Sequence, residues 1–447
     1  MAGGPGPREA ACGLSNPSGL SNPSIGRRAG VAQAAVGPRP DRAAVAEALE
    51  RFILHEMREK RLPALSVALV EGGEVVWARG FGLADPEAGV PATAETVYRV
   101  GSVSKLFTDI AAMQLVERGR LALDVPNARY LPEFRPANPY AASPLTLRQL
   151  MAHRAGLVRE PPVGNDFDPT GPSLARTVQS LAGVPLVYEP GTRTKYSNAG
   201  IAVVGYAVER AAGEPFAQAV RRAALEPLGL RRSGFEPTPD IARGLARAFL
   251  WTYDGRVFPA PAFPLGMAPA GNLYSTVLDL GRFLAALFEP REPGDRLLRP
   301  ESLAEMLRPQ FAAGGRRGFG IGFAVGELAG RRRVGHGGAI YGFATELAAL
   351  PDEKLGAVAV TTMDAANAVT TRVADAALRL LLAARAGRAL PALDTTAPVP
   401  AALARRPLPA RGLDGRAPGA RRVALPESRT GRDASCAPHA PRHARRG

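Results

Sequence analysis

Apolar, strand-forming runs stand at the two far ends of the central body of this chain, with a long stretch of mostly helical pattern between them. Leu65–Val70 and Val75–Gly80 are joined by Glu71-Gly72-Gly73-Glu74, a hairpin signal. Gly318–Val325, Arg331–Val334, Thr345–Leu350 and Gly356–Thr362 read as four more strands, the last two joined by the turn sequence Pro351-Asp352-Glu353-Lys354. An amphipathic helix precedes the first set: Ala43–Lys60, with Val45, Leu49, Phe52 and Ile53 on one face. Another follows the second set over Ala365–Ala384, with Val369, Val373, Ala376, Ala377, Leu380 and Leu381 as its apolar stripe. The expected class is α+β: one antiparallel sheet built from both chain ends, flanked by the terminal helices, with residues 106–315 forming a mostly helical second lobe over it. A ligand cleft is expected between the two lobes.

The body so defined spans residues 41–387, and both flanks differ from it in composition. Residues 1–40 are rich in Gly, Pro and Ala and hold a tandem repeat, Gly13–Ser18 followed by Gly19–Ser24. Residues 388–447 are Pro- and Arg-rich without periodicity, so both flanks are expected to be disordered. The flanks also carry most of the formal charge of +15. Twelve Arg face four acids from Arg388 onward, and five Arg face two acids over residues 1–42, which leaves only +4 for residues 43–387. A basic tail is a solvated segment before it is a nucleic-acid site, and no nucleic-acid partner is expected. Cys12 and Cys436 both lie in the flanks, so the body has neither a disulfide nor thiol chemistry. No apolar run is long enough to span a membrane. Arg27 and Arg28 precede a short Ala/Gly-rich run ended by Pro38, which makes no convincing signal peptide; as the sequence stands, the expectation is cytoplasmic.

The chemistry is concentrated in three segments. Residues 101–105 read Gly-Ser-Val-Ser-Lys, and the helical spacing of Leu106, Ile110 and Met113 places Ser102 at or near a helix N-terminus. A spacing of three puts the Ser102 and Lys105 side chains on one helix face. A hydroxyl becomes a nucleophile when a neighbour takes its proton, and a buried, neutral Lys does this. The chain has only four Lys (60, 105, 195 and 354) among 56 basic residues. Arg cannot give up its proton in a protein, whereas Lys can, so a Lys at position 105 carries weight.

The second segment is Lys195-Tyr196-Ser197-Asn198-Ala199-Gly200. Tyr196 is a candidate partner in proton transfer, its phenol lowered by adjacent cations. Asn198 is a candidate hydrogen-bond donor to a substrate carbonyl and a partner of Lys105. The third is Gly335-His336-Gly337-Gly338-Ala339, read as following the strand Arg331–Val334. Its glycines allow a ligand close to the backbone, and the Ala339 N–H is a candidate second oxyanion donor beside that of Ser102. The body holds only His55, His153 and His336 and no Cys, too few partners for a metal site, and neither metal nor cofactor is expected.

In this order and spacing the three segments resemble the serine β-lactamase and penicillin-binding protein family, specifically its branch of class C β-lactamases, D-Ala-D-Ala carboxypeptidases, D-aminopeptidases and esterases. The resemblance covers residues 45–387 and extends to Leu62–Ala68, Tyr98–Ser102, Leu147–His153, Tyr188–Gly191, Pro269–Ser275 and Tyr341–Phe343. It implies an acyl-enzyme at Ser102, proton handling by Lys105 and Tyr196, and an oxyanion hole from the Ser102 and Ala339 amides. Asn198, His336, Gly337 and Gly338 would line the substrate site, and His153 would be structural. The family's Lys-Thr-Gly strand motif is replaced by His336-Gly337-Gly338, and His carries only part of a charge near neutrality, where the Lys meets a substrate carboxylate. The expected activity is hydrolysis of esters or of D-amino-acid-type amides, the partner being a small ester, amide or peptide. Acyl transfer by the same side chains, true β-lactamase or carboxypeptidase action, and a non-catalytic binding module are the alternatives. Sequence leaves the oligomeric state open.

Overall fold

Eight strands from the two ends of the body form one antiparallel sheet, in the order Val90–Pro91, Glu74–Asp85, Ala64–Glu71, Leu355–Thr361, Phe343–Leu350, Arg331–Ile340, Ala324–Leu328 and Gly318–Phe319. This is a computed structural model, and it describes residues 42–140, 143–252, 256–288, 297–311, 315–393 and 395. Segments 1–40 and 396–447, including both Cys and nearly all of the basic tail, lie outside the described residues. The chain opens with α1 (Ala43–Lys60), β1 (Ala64–Glu71), β2 (Glu74–Asp85), β3 (Val90–Pro91), β4 (Tyr98–Arg99) and α2 (Ser104–Glu117). It continues with α3 (Leu147–Met151), α4 (Leu174–Gln179), α5 (Asn198–Ala212), α6 (Phe216–Val220), α7 (Pro239–Gly244), β5 (Phe249–Trp251) and β6 (Val257–Pro259). Next come α8 (Ala268–Gly271), β7 (Tyr274–Ser275), α9 (Val277–Phe288) and α10 (Pro300–Met306). The last elements are β8 (Gly318–Phe319), β9 (Ala324–Leu328), β10 (Arg331–Ile340), β11 (Phe343–Leu350), β12 (Leu355–Thr361) and α11 (Asn367–Arg385).

β1 pairs with β12 from Leu65 opposite Thr361 to Glu71 opposite Leu355, so the two chain ends meet in mid-sheet. Every residue of β11 and β12 is buried, because both faces of the sheet are covered. Leu65, Val67 and Leu69 pack with Leu49, Phe52 and Ile53 of α1 and Val373, Leu380 and Leu381 of α11. Ala64, Ala68 and Val70 point to the other face, into a core shared with α2, α5 and α9. α1 ends where Arg61 turns left-handed at φ 51°, its N–H bonded back to the last turn.

Two expected strands differ. Gly318–Val325 is split into β8 and β9 by a tight turn in which the Gly320 N–H bonds to Phe323 O at 2.8 Å. Gly322 stands there at φ 77° against the Asp109 carboxyl, a conformation a side chain resists. The strand expected to stop at Val334 runs on to Ile340, so the glycine segment is part of the sheet and does not follow it. A Cβ on Gly335 would lie 2.1 Å from Leu347 O, whereas one on Gly326 in the neighbouring strand would meet nothing within 4 Å. Gly335→Ala is therefore expected to cost about 2–3 kcal/mol in urea unfolding, and Gly326→Ala to stay within about 0.5 kcal/mol of the native protein. Equal effects at both positions would contradict the packing described.

Candidate active site

Ser102 sits in a single 3₁₀ turn, Gly101–Val103, that leads directly into α2. Gly101 has φ 52°, and a Cβ on it would lie 2.7 Å from the Ala339 nitrogen; one on Gly338 would lie 2.0 Å from Val100 O. Only paired glycines let β10 come this close to the turn. Ser104 fixes the turn from within: its Oγ donates to Gly101 O at 2.6 Å and accepts from the Leu273 N–H at 2.9 Å.

Lys105, one turn on, has no solvent exposure. Its Nζ lies 2.9 Å from Ser102 Oγ and donates to Ala270 O at 2.7 Å. The segment Pro269–Ala270 is in turn held by Thr108, whose Oγ1 donates to Pro269 O at 2.8 Å. Burial lowers the Lys105 amine to about 7, with Glu160 and Asp109 pulling in the opposite direction. Asp109 lies a further turn along α2, fully buried, with neither carboxylate oxygen hydrogen-bonded among the described residues. Burial raises its carboxyl well above the ordinary range. Sequence reading passed over Asp109, although its spacing of four from Lys105 places it on the same helix face.

Tyr196 precedes α5, which is capped by Ser197: its Oγ accepts from the Gly200 N–H at 2.9 Å. The Tyr196 ring packs 4.2 Å from the His153 ring and 5.0 Å from Lys105 Nζ. Burial raises its phenol well above the ordinary value despite the Ser102 hydroxyl and Arg159 nearby, so the expected lowering by cations does not occur. His153 is buried in the left-handed region at φ 57°, and its Nδ1 accepts from the Ser197 N–H at 3.2 Å. That places it as a support for the Tyr196 segment.

Asn198 also departs from expectation. Its Nδ2 donates to Glu160 Oε1 at 2.7 Å, not to a free space beside Lys105, and its Oδ1 is buried without a partner among the described residues. Glu160 holds Arg159 as well, at 3.1 Å. His336 is buried, and its Nδ1 lies 2.5 Å from Gly337 O. A carbonyl only accepts, so Nδ1 carries the hydrogen and Nε2 is a bare acceptor. Burial, then Lys105, lowers His336 to about 4, so the part-charge expected near neutrality is absent.

Ser102, Tyr196, Asn198, His336, Gly337, Gly338 and Ala339 line one cavity of about 270 Å³, with Lys105 directly behind Ser102. Arg159 and Asp166, unnoticed in the sequence, share its wall. Among the described residues, no three His, Cys, Asp or Glu side chains gather as they would around a metal ion, and no helix is long and apolar enough to cross a membrane.

A sequence model of the family described as Beta-lactamase matches residues 49–382. The chain belongs to the beta-lactamase family. It is 34% identical over 321 residues to Esterase EstB of Burkholderia gladioli, across 64% of this chain and 80% of that protein. Its fold is similar to that of an octameric penicillin-binding protein homologue from Pyrococcus abyssi, with a TM-score of 0.65, 28% identity and coverage of 77% of this chain and 78% of the other. It is also similar to EstCE1, described as a hydrolase with promiscuous acyltransferase activity, with a TM-score of 0.61, 25% identity and coverage of 73% and 95%. This is thus a serine hydrolase of the beta-lactamase family, whose members act on esters and amides.

Two buried histidines give this site a pH signature in stability. Each is held neutral in the folded protein, His153 well below 6.5 and His336 at about 4, while the unfolded chain protonates near 6.5. Their folded-state advantage is complete above about 6.5 and is lost as the pH falls toward about 4. Urea unfolding at about pH 7.5 and pH 5 is expected to show the native protein losing about 2 kcal/mol more than His336→Gln over that interval. The same loss in both would remove His336 from the linkage.

Proposed function

We propose that this chain hydrolyses esters or D-amino-acid-type amides through an acyl-enzyme at Ser102. The observation that carries the reading is the Lys105 amine, wholly buried, lowered to about 7 and 2.9 Å from the Ser102 hydroxyl. In its neutral form it accepts the Ser102 proton as Oγ attacks the substrate carbonyl. The Ser102 and Ala339 amides hold the oxyanion. Tyr196, kept protonated by its burial, gives its phenolic proton to the departing alcohol or amine and is reprotonated by Lys105. Water then attacks the acyl-enzyme and surrenders a proton to Lys105, which passes it to Ser102 Oγ as the C–Oγ bond breaks and the acid is released.

His336, uncharged near neutrality, provides no fixed charge for the carboxylate of a β-lactam or a C-terminal D-alanine, which favours esters and uncharged-ended amides. Acyl transfer by the same residues is a second reading, supported by the similarity to EstCE1. A wholly buried lysine beside a serine speaks against a non-catalytic binding module, since burying that amine has a cost with no return in binding.

A fluorophosphonate probe is expected to label the native protein and not Ser102→Ala, with p-nitrophenyl acetate turnover falling at least about a thousandfold. Because Lys105 works as the free amine, kcat/KM is expected to rise about tenfold per pH unit up to about 7 and then level off. Labelling that persists in Ser102→Ala, or a flat profile from pH 5 to 8, would overturn the assignment.

A further inference from the structure

The wall of the Ser102 cavity presents hydrogen-bond acceptors that nothing in the described chain uses. Asn198 has committed its Nδ2 to Glu160, which leaves Oδ1, an acceptor only, buried and unpartnered. His336 has committed its Nδ1 hydrogen to Gly337 O, which leaves Nε2, again an acceptor, buried and unpartnered. Asp166 lines the same cavity. Its backbone carbonyl accepts from the Tyr341 hydroxyl, which fixes the loop at that point. Its half-buried carboxylate makes no hydrogen bond or ion pair among the described residues.

The charges around the cavity sharpen this pattern. Arg159 also lines the wall, but its guanidinium is paired with Glu160 at 3.1 Å and packs 5.1 Å over the Tyr196 ring. Arg99 is buried behind the rings of Tyr274 and Tyr341, at 5.7 and 5.4 Å, and is not on the wall. Lys105 is closed off behind Ser102. Of the charges on the wall, Asp166 is thus the one with no ion pair among the described residues, Lys105, Arg159 and Arg99 acting on it only from beyond ion-pair distance. A substrate carboxylate would find Arg159 joined to Glu160 through its Nε and would also face Asp166; a cation would meet that carboxylate and two acceptors. Buried acceptors without partners select for groups that donate to them and against groups that do not.

We infer that the substrate carries a cationic nitrogen near its scissile carbonyl, with Asp166 as the counter-charge and Asn198 Oδ1 and His336 Nε2 accepting from neighbouring N–H groups. This specificity rests on the Ser102 reading proposed above and deepens it by naming a substrate class.

The test uses two pairs of esters that differ only by a charged N–H in place of C–H. In the acyl part, the p-nitrophenyl ester of 4-(dimethylammonio)butanoate, which carries both the charge and an N–H donor, is compared with that of its carbon isostere, 5-methylhexanoate. In the alcohol part, 2-(dimethylammonio)ethyl acetate is compared with 3-methylbutyl acetate. The full chain is expected to prefer the cation by about tenfold or more in kcat/KM in at least one pair. That ratio should fall toward one in Asp166→Asn and should shrink as salt rises from about 0.05 to 0.5 M. Binding to Ser102→Ala, measured by calorimetry, should show the same preference without turnover. No preference in either pair, or one indifferent to both Asp166→Asn and salt, overturns the inference. Uncharged p-nitrophenyl acetate separates the two claims: absence of its Ser102-dependent turnover is a failure of the catalytic reading, whereas its turnover without cation preference is a failure of the charge assignment alone.

Discussion

The site exists because two backbone segments from opposite ends of the body touch with no side chain between them. Val100–Gly101, at the entrance to α2, lies directly against Gly338–Ala339 of β10, and a Cβ on either glycine would fall within 3 Å of the other segment. β10 pairs with β9 only as far as Gly335, so from His336 onward no strand takes that edge among the described residues. The same stretch lines the cavity with Ser102. A strand edge is a row of backbone groups with unmet hydrogen bonds, normally a hazard; here it is turned inward, where a substrate can occupy it.

The second demand is electrostatic. Holding an amine out of water disfavours its charged form, which is what a base needs, but the polar nitrogen must still be hydrogen-bonded. Ala270 O and Ser102 Oγ meet that need, and the α8 segment is there to supply the first because Thr108 and Ser104 bind it and Leu273 to α2. Asp109 and Glu160 restrain the shift, which keeps the amine near neutrality in pH and stops it falling further. The preference for Lys over Arg at this one position follows, in a chain that otherwise uses Arg almost throughout.

Much of this was legible in the sequence, for identifiable reasons. α1 spans Ala43–Lys60 as its apolar stripe requires, and the sheet from both chain ends follows from unbroken apolar runs that only a doubly covered sheet accommodates. Ser102 and Lys105 were visible because i, i+3 proximity is local. The extent of β10 was not, since glycines dilute the strand signal where the close approach needs them. The partner of Asn198 was hidden for another reason: Glu160 is 38 residues away, and its loop folds back so that the Asn198 N–H bonds to Arg159 O at 2.8 Å. Protonation states were the least readable, because the charge of His336 and the phenol of Tyr196 depend on burial that only the assembled lobes create.

The pairing of β1 with β12 has a bearing on how the molecule is made. As the chain leaves the ribosome, the β1–β2 hairpin emerges early with the inner edge of β1 unpaired, and its partner Leu355–Thr361 is synthesised only after the whole helical lobe. Through that interval an apolar strand edge, Leu65 to Val70, stands open to pairing with other nascent chains. The late strands also include β10, so Ser102 is translated long before the wall that it faces. Release of a chain cut short before residue 331 would therefore yield an adhesive fragment that holds Ser102 without the wall it faces, a natural client for chaperones.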